Sequence, residues 1–506
     1  MSEPFPLALQ PLDAFPAVRE FLASSGYTRQ FLLDHFKVPG MHLLLYPTMS
    51  SEEMRLRCQG DSVPLLLAKL LLAGFPVKRE EVERGIPAAA LEAMLALGLL
   101  RPSSPEPGSL HAPVIVFESH GLYLASDRSR QGDGPGYGGA DYVMAGAEDV
   151  SRVFVDSIPK TPCGAFLEIG TGSGMCALAA SRCSDQVWAT DINQRAALYT
   201  KFNCLLNEVS NVTALSGDMY QPVAGLRFDR IASHPPFEPP LKKSMIYAVG
   251  GEDGEGLIAK VVSGAPRHLN PGGRLYCLVM GTDREQEGFH ERAGRWLGDQ
   301  APECDLALFV VQTMRPDEYA LDHIRGGNVD AGMLSRWESF YQRLGARRVI
   351  FGHLVIQRKA EDRPVFRIRR DMGTAAGYAE MEWLLDRERE FLLPGFESLL
   401  MESRFAVGAD WELHVRHRMS GGELMPVDYS IFTQYPFPLE MSCASWIARL
   451  VSRMNGERSG AEHFEWLQSR MDLPADRFLT AMRGLLGAGV ARMEGCAPPR
   501  DASAAS

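Results

Sequence analysis

Apolar residues change their period along this chain. From Ser62, SVPLLLAKLLLAGF, PVKREEVERGI and PAAALEAMLALGLL, ending at Leu100, place them at helical spacing. PVIVFES and LYLASD follow as strand-like runs around the turn pair His120-Gly121. Short helices followed by two strands predict a winged-helix-like module, a unit that reads DNA, binds peptides or only supports structure. The stretch RSRQGDGPGYGGADY, Arg128 to Tyr142, is rich in glycine and charge and predicts a linker or a loop beside a site. Strand-like and helical runs then alternate. The candidate strands are AFLEIG, QVWATD, VTALSGD, FDRIASH, GRLYCLVMG, DLALFVVQ and RVIFGHLVIQ, with helices between the first five. That alternation predicts an α/β, doubly wound, mainly parallel sheet. The last block opens with RPVFRIRRDM and has a strand WELHVRHRM before the turn SGGE. It closes on three helical runs that echo the first block, so a second winged-helix-like α+β module is expected. The predicted domains are residues 1–139, 140–359 and 360–506.

A length of 506 residues agrees with that three-part division, at about 150 residues per domain. Apolar residues at 45% and charged residues at 23% are globular values and exclude bulk disorder. The 52 basic and 63 acidic side chains leave a formal charge of −11, which disfavours a protein that grips duplex nucleic acid by neutralising phosphates. Nine cysteines show no CxxC spacing and no disulfide framework, so they read as reduced thiols of a cytoplasmic protein. The most apolar run, from Val63, is short and contains Lys69, so no membrane span is expected. MSEPFPLALQPLDAF lacks the basic start of a signal peptide. No metal site is expected either. His414 and His417 would face opposite sides of a strand, and HERAG at His290 lacks a second histidine.

The sharpest local signal is FLEIGTGSG. A buried strand ends at Glu168, and Gly170, Gly172 and Gly174 turn the chain into a helix. Glycines there let the backbone adopt positive φ and approach a ligand closely. The next strand ends at Asp191, where a carboxylate accepts ribose hydroxyls, and the third ends at Asp218-Met219. The ExGxGxG spacing with these two acids resembles motif I and its neighbours in the class I methyltransferases that use S-adenosylmethionine. The resemblance implies a seven-stranded methyltransferase sheet with S-adenosyl-L-methionine as cofactor. It places Glu168, Gly170, Gly172, Gly174, Asp191, Asp218 and Met219 around that cofactor, with Asp218 toward the adenine amino group and Met219 on the ring.

The fourth strand leads into His234-Pro235-Pro236-Phe237. This is similar to the Asn/Asp-Pro-Pro-Tyr/Phe motif of release-factor glutamine methyltransferases and of amino-methylating nucleic-acid enzymes. Proline has fixed φ and no N–H, so its carbonyl is presented rigidly to an acceptor N–H. The polar first residue takes a second hydrogen bond, and the aromatic fourth stacks on a planar acceptor. His234, Pro235 and Phe237 are thus the expected catalytic residues, with Phe237, Glu238 and Tyr247 on the acceptor. Histidine in first place departs from the motif. It is a general base or a positioner, and as a base it favours acceptors that lose a proton. Tyr137 or Tyr142 is expected over the cofactor. The expected reaction moves the methyl of S-adenosylmethionine to an N or O atom of a small-molecule or peptide acceptor. The alternatives are protein glutamine or nucleic-acid base N-methylation, transfer or cyclisation at another carbon of the sulfonium, and a cofactor-binding protein that no longer transfers methyl.

Overall fold

Leucines at helical spacing form α1 (Val63–Leu67), whose last turns widen into a π-helix over Ala68–Ala73. The buried guanidinium of Arg128 donates to the carbonyls of Leu70, Leu71 and Leu72, which that widening leaves open. The chain is seen here as a computed structural model that describes residues 4–45, 49–132, 134–146, 149–237, 250–325, 331–373, 376–408, 410–493 and Pro499. Its contacts divide it into two compact units, Met1–Gly281 and Thr282–Ser506.

In the first unit α1 is followed by β1 (Val77–Lys78), α2 (Arg79–Gly85), α3 (Ala88–Ala96), β2 (Arg101–Pro102) and β3 (Ser109–His111). The three short strands form an antiparallel sheet in the order β1-β3-β2. The hairpin expected at His120-Gly121 is present as β4 (Ile115–Ser119) and β5 (Leu122–Ser126). Both turn residues have positive φ, 53° and 70°, as a two-residue hairpin turn demands. This hairpin does not join the small sheet. Its free edge is taken by side-chain amides instead. Asn203 and Asn207 each pair with the backbone of β5, accepting from Ala125 and Tyr123 at 2.8 and 2.9 Å and donating back to the same residues.

The core of the first unit contains α4 (Asp149–Asp156), β6 (Cys163–Ile169), α5 (Met175–Ala180), β7 (Ser184–Asp191), α6 (Gln194–Leu206), β8 (Val212–Ser216), β9 (Phe228–Ser233), α7 (Gly256–His268) and β10 (Leu269–Arg284). The strands run parallel in the order β8-β7-β6-β9-β10. Central strands of such a sheet are covered on both faces, so they read as apolar runs without alternation. In β6, Phe166 and Leu167 are fully buried. Register puts Glu168 beside Ala189, Asp191 beside Ser216, and Ile169 beside Ser233, so the strand ends carrying the motifs finish level with one another.

The second unit contains β11 (Cys304–Met314), β12 (Ala346–Arg358) and β13 (Arg367–Asp371). β11 pairs antiparallel with β12 and parallel with β13. All seven candidate strands form. β13 is an eighth, drawn from beyond residue 359, and it pairs with a core strand. Asp305 fixes it there by accepting from Arg363, at 3.0 and 2.5 Å, and from the Phe366 N–H. Next come β14 (Arg404–Val407), β15 (Trp411–Ser420), β16 (Glu423–Thr433), β17 (Leu439–Cys443), α8 (Ser445–Val451), β18 (Asn455–Ser459), α9 (Gly460–Gln468), α10 (Ala475–Gly487) and β19 (Ala491–Met493). The strands β18-β14-β19 form a small antiparallel sheet. Its core includes Phe405, Leu450, Leu467, Phe478 and Leu485. β15, β16 and β17 form a separate, largely exposed antiparallel sheet. No helix among the described residues is long and apolar enough to cross a membrane.

Candidate functional site

The carboxyl ends of β6, β7, β8 and β9 open onto one cavity of about 640 Å³. The loop after β6 forms one wall. Gly170 and Gly172 have φ of 78° and 55°, and no atom lies within 4 Å of where a Cβ would stand at either. The backbone is therefore bare toward open space, a cradle that any side chain would fill. Gly174, with φ of 87°, has a different task. A Cβ there would come within 2.9 Å of Thr200, so this glycine packs the start of α5 against α6 and does not line the cavity.

The acids shape that loop. Asp191 accepts from the Gly172 N–H and the Asn193 N–H, each at 2.9 Å. Burial raises its pKa. Glu168 accepts from the Thr171 hydroxyl and the Ala177 N–H, both at 2.8 Å, and burial pushes its pKa up to about 8. Asp218 is exposed and lines the cavity with Met219, whose φ of 47° is uncommon for a residue other than glycine.

His234, Pro235, Pro236 and Phe237 line the same cavity. The imidazole lies 5.7 Å from the Phe154 ring of α4 and 5.8 Å, nearly parallel, from the Phe237 ring. It keeps some exposure, but toward the cavity and between aromatic walls. Burial pushes its pKa down to about 4, so the ring is neutral near pH 7. Ser233 donates to the Ile169 carbonyl at 3.0 Å and fixes the end of β9 to the end of β6. Gly250 presses against the motif from outside. A Cβ there would stand 2.7 Å from the Pro236 carbonyl oxygen. Glu238 and Tyr247 lie outside the described residues.

The structure also places residues that no motif announces. Asp127, at the end of β5, is buried and accepts from Arg195 and from the Tyr199 hydroxyl, both at 2.6 Å. Its second oxygen accepts from the Val143 N–H at 2.9 Å. Asn193 donates to the Asp141 carbonyl at 2.8 Å. Together they hold residues 141–143 against the start of α6, so that Tyr142 and Val143 line the cavity. Tyr137 does not line it. Its ring lies 4.0 Å from the Arg195 guanidinium. Among the described residues no three His, Cys, Asp or Glu side chains gather as metal ligands.

The parallel sheet thus brings an ExGxGxG cradle, two strand-end acids and a Pro-Pro turn to one cavity, the arrangement expected from the likeness to class I methyltransferases. Residues 142–289 match the family model of the methyltransferase small domain. The chain is 36% identical over 130 residues to the release factor glutamine methyltransferase of Yersinia pestis, covering 23% of this chain and 46% of that protein. The namesake from Gloeobacter violaceus is 30% identical over 148 residues, 26% of this chain and 52% of its own length. The one from Geobacter sulfurreducens is 26% identical over 201 residues, covering 37% and 66%. The chain thus spans about half the length of the first two relatives.

Proposed function

We propose that this chain moves the methyl group of S-adenosylmethionine to a side-chain amide nitrogen of a protein or peptide. The observation that carries the reading is a neutral imidazole beside two prolyl carbonyls in the cofactor cavity. The similarity to release factor glutamine methyltransferases agrees with it. Bound S-adenosylmethionine supplies a methyl carbon activated by its sulfonium. Gly170 and Gly172 leave room for it, Asp191 and Asp218 offer carboxylates, and Met219 an apolar surface. Gly174 acts through packing.

An amide nitrogen is a poor nucleophile whose lone pair is delocalised. It needs aligned hydrogen-bond acceptors more than a base. A histidine with a pKa near 4 is a weak general base at neutral pH. Its unprotonated nitrogen is nevertheless a good acceptor, in the role an Asn carbonyl plays in the related motif. The Pro235 carbonyl takes the other N–H, and the Phe237 ring lies along the amide plane. As the N–C bond forms and the S–C bond breaks, the nitrogen becomes strongly acidic. Even a weak base then suffices to take its proton, so His234 positions first and accepts the proton afterwards. Most of the rate comes from alignment. The N-terminal module runs helix, strand, two helices and two strands, whereas the C-terminal one takes a strand, β14, from ahead of its helices; we read both as winged-helix-like parts that select the acceptor.

Methyl-labelled cofactor added to protein extract tests this. Label in an amide-methylated side chain, recovered by proteolysis and amino-acid analysis, is expected. Label confined to nucleic acid or small molecules would overturn it.

A further inference from the structure

A second, more open hollow of about 650 Å³ lies within the second unit, between residues 283–284 and the end of β11. Four arginines line it, Arg284, Arg347, Arg348 and Arg369. Arg369 is engaged by Asp283 through two contacts of 2.9 Å. Arg284 donates to the Thr282 hydroxyl at 3.2 Å. Arg347 and Arg348 are exposed, and among the described residues neither pairs with a carboxylate. A chain of net charge −11 has acids to spare, yet none closes on these two guanidinium groups. Guanidinium forks match carboxylates and phosphates, and a concave wall focuses their field.

We infer that this groove holds an acidic peptide segment of the methyl acceptor. Only that segment's role as acceptor rests on the reading above; its binding does not. Gln312 and Thr313, exposed at the end of β11, offer an amide and a hydroxyl to a peptide backbone, and Val311 adds apolar surface at 41% exposure. The lining holds no aromatic ring on which a base would stack.

The test is fluorescence anisotropy of the full chain with a labelled oligoglutamate peptide, a Gly-Ser peptide of equal length and a single-stranded RNA. Oligoglutamate is expected to bind best, more weakly as salt rises. The double variant Arg347→Glu/Arg348→Glu should weaken it on the order of tenfold or more. Arg347→Gln/Arg348→Gln should weaken it less and serves if the charge reversal fails to fold. Calorimetry with S-adenosylhomocysteine should be unchanged in both variants, which separates failure of this groove from failure of the cofactor cavity. No oligoglutamate binding by wild type, equal binding by both variants, or tighter RNA binding lost on substitution would each overturn the assignment.

Discussion

His234 shows how burial changes what a residue does. An unperturbed imidazole titrates near pH 6.5, and from sequence alone a base and a positioner stay equally open. Between Phe154 and Phe237 its pKa falls to about 4, which favours the positioner. Turnover should therefore show no inflection near pH 6.5 and should decline only as pH approaches about 4, where His234 gains a proton. An inflection between about pH 6 and 7 that disappears in His234→Asn would restore the base. His234→Ala should lose turnover on the order of a hundredfold, with S-adenosylhomocysteine affinity kept, while His234→Asn retains most of the activity. Glu168 moves the other way, up to about 8, so much of it is protonated at neutral pH. A cationic ligand in the cavity favours the ionised form. Cofactor binding should strengthen as pH rises toward about 8 and release protons below it. Calorimetry near pH 7 in buffers of different ionisation enthalpy checks this, and buffer-independent heats would contradict it. The raised pKa also costs stability. The folded state holds the Glu168 proton more tightly than the unfolded chain, so this group's contribution falls as pH rises from about 4.5 through about 8.

Among the elements, the segment before the glycine loop shows most clearly what a sequence conceals. Tyr142 reaches the cavity because Asp127, more than a dozen residues earlier, accepts the Val143 N–H while paired to Arg195. Neither Asp127 nor Arg195 sits in a motif. Their pairing depends on where a hairpin meets a helix, which periodicity does not encode. Asp127→Ala leaves a buried guanidinium without its carboxylate and should cost about 3–5 kcal/mol. Denaturant unfolding measures that loss. Asp127→Asn should soften it and leave a weaker cofactor site. An unchanged midpoint in both variants would mean the pair does not hold the segment. The strands themselves were readable because parallel strands buried on both faces appear as unbroken apolar runs. Gly170, Gly172 and Gly174 were readable too, but only the structure separates two that face the cavity from one that packs a helix. Gly172→Val should abolish S-adenosylhomocysteine binding, with a backbone strain of about 1–3 kcal/mol at its φ of 55° but no collision. Gly174→Val should mainly destabilise, because it would collide with Thr200.

For the molecule as a whole, alternation of strand and helix revealed the architecture of the core, and the motif spacings revealed most of its cavity. The reach of the sheet was not legible. RIRRD gives no sign that it pairs beside β11, because the acid that anchors the chain ahead of it, Asp305, lies far away in sequence. The small strands of the N-terminal module were also missed, since segments such as Val77–Lys78 are too short to carry a period. Net charge worked at the largest scale and failed at the local one. A total of −11 argued against polyanionic partners, yet it hid a groove lined by four arginines. The most direct measurement is a crystal structure of the full chain with S-adenosylhomocysteine. The account predicts the ligand along Gly170 and Gly172, its ribose at Asp191 and its sulfur toward His234 and Pro235. A ligand bound elsewhere, or with its sulfur turned away from that turn, would contradict it.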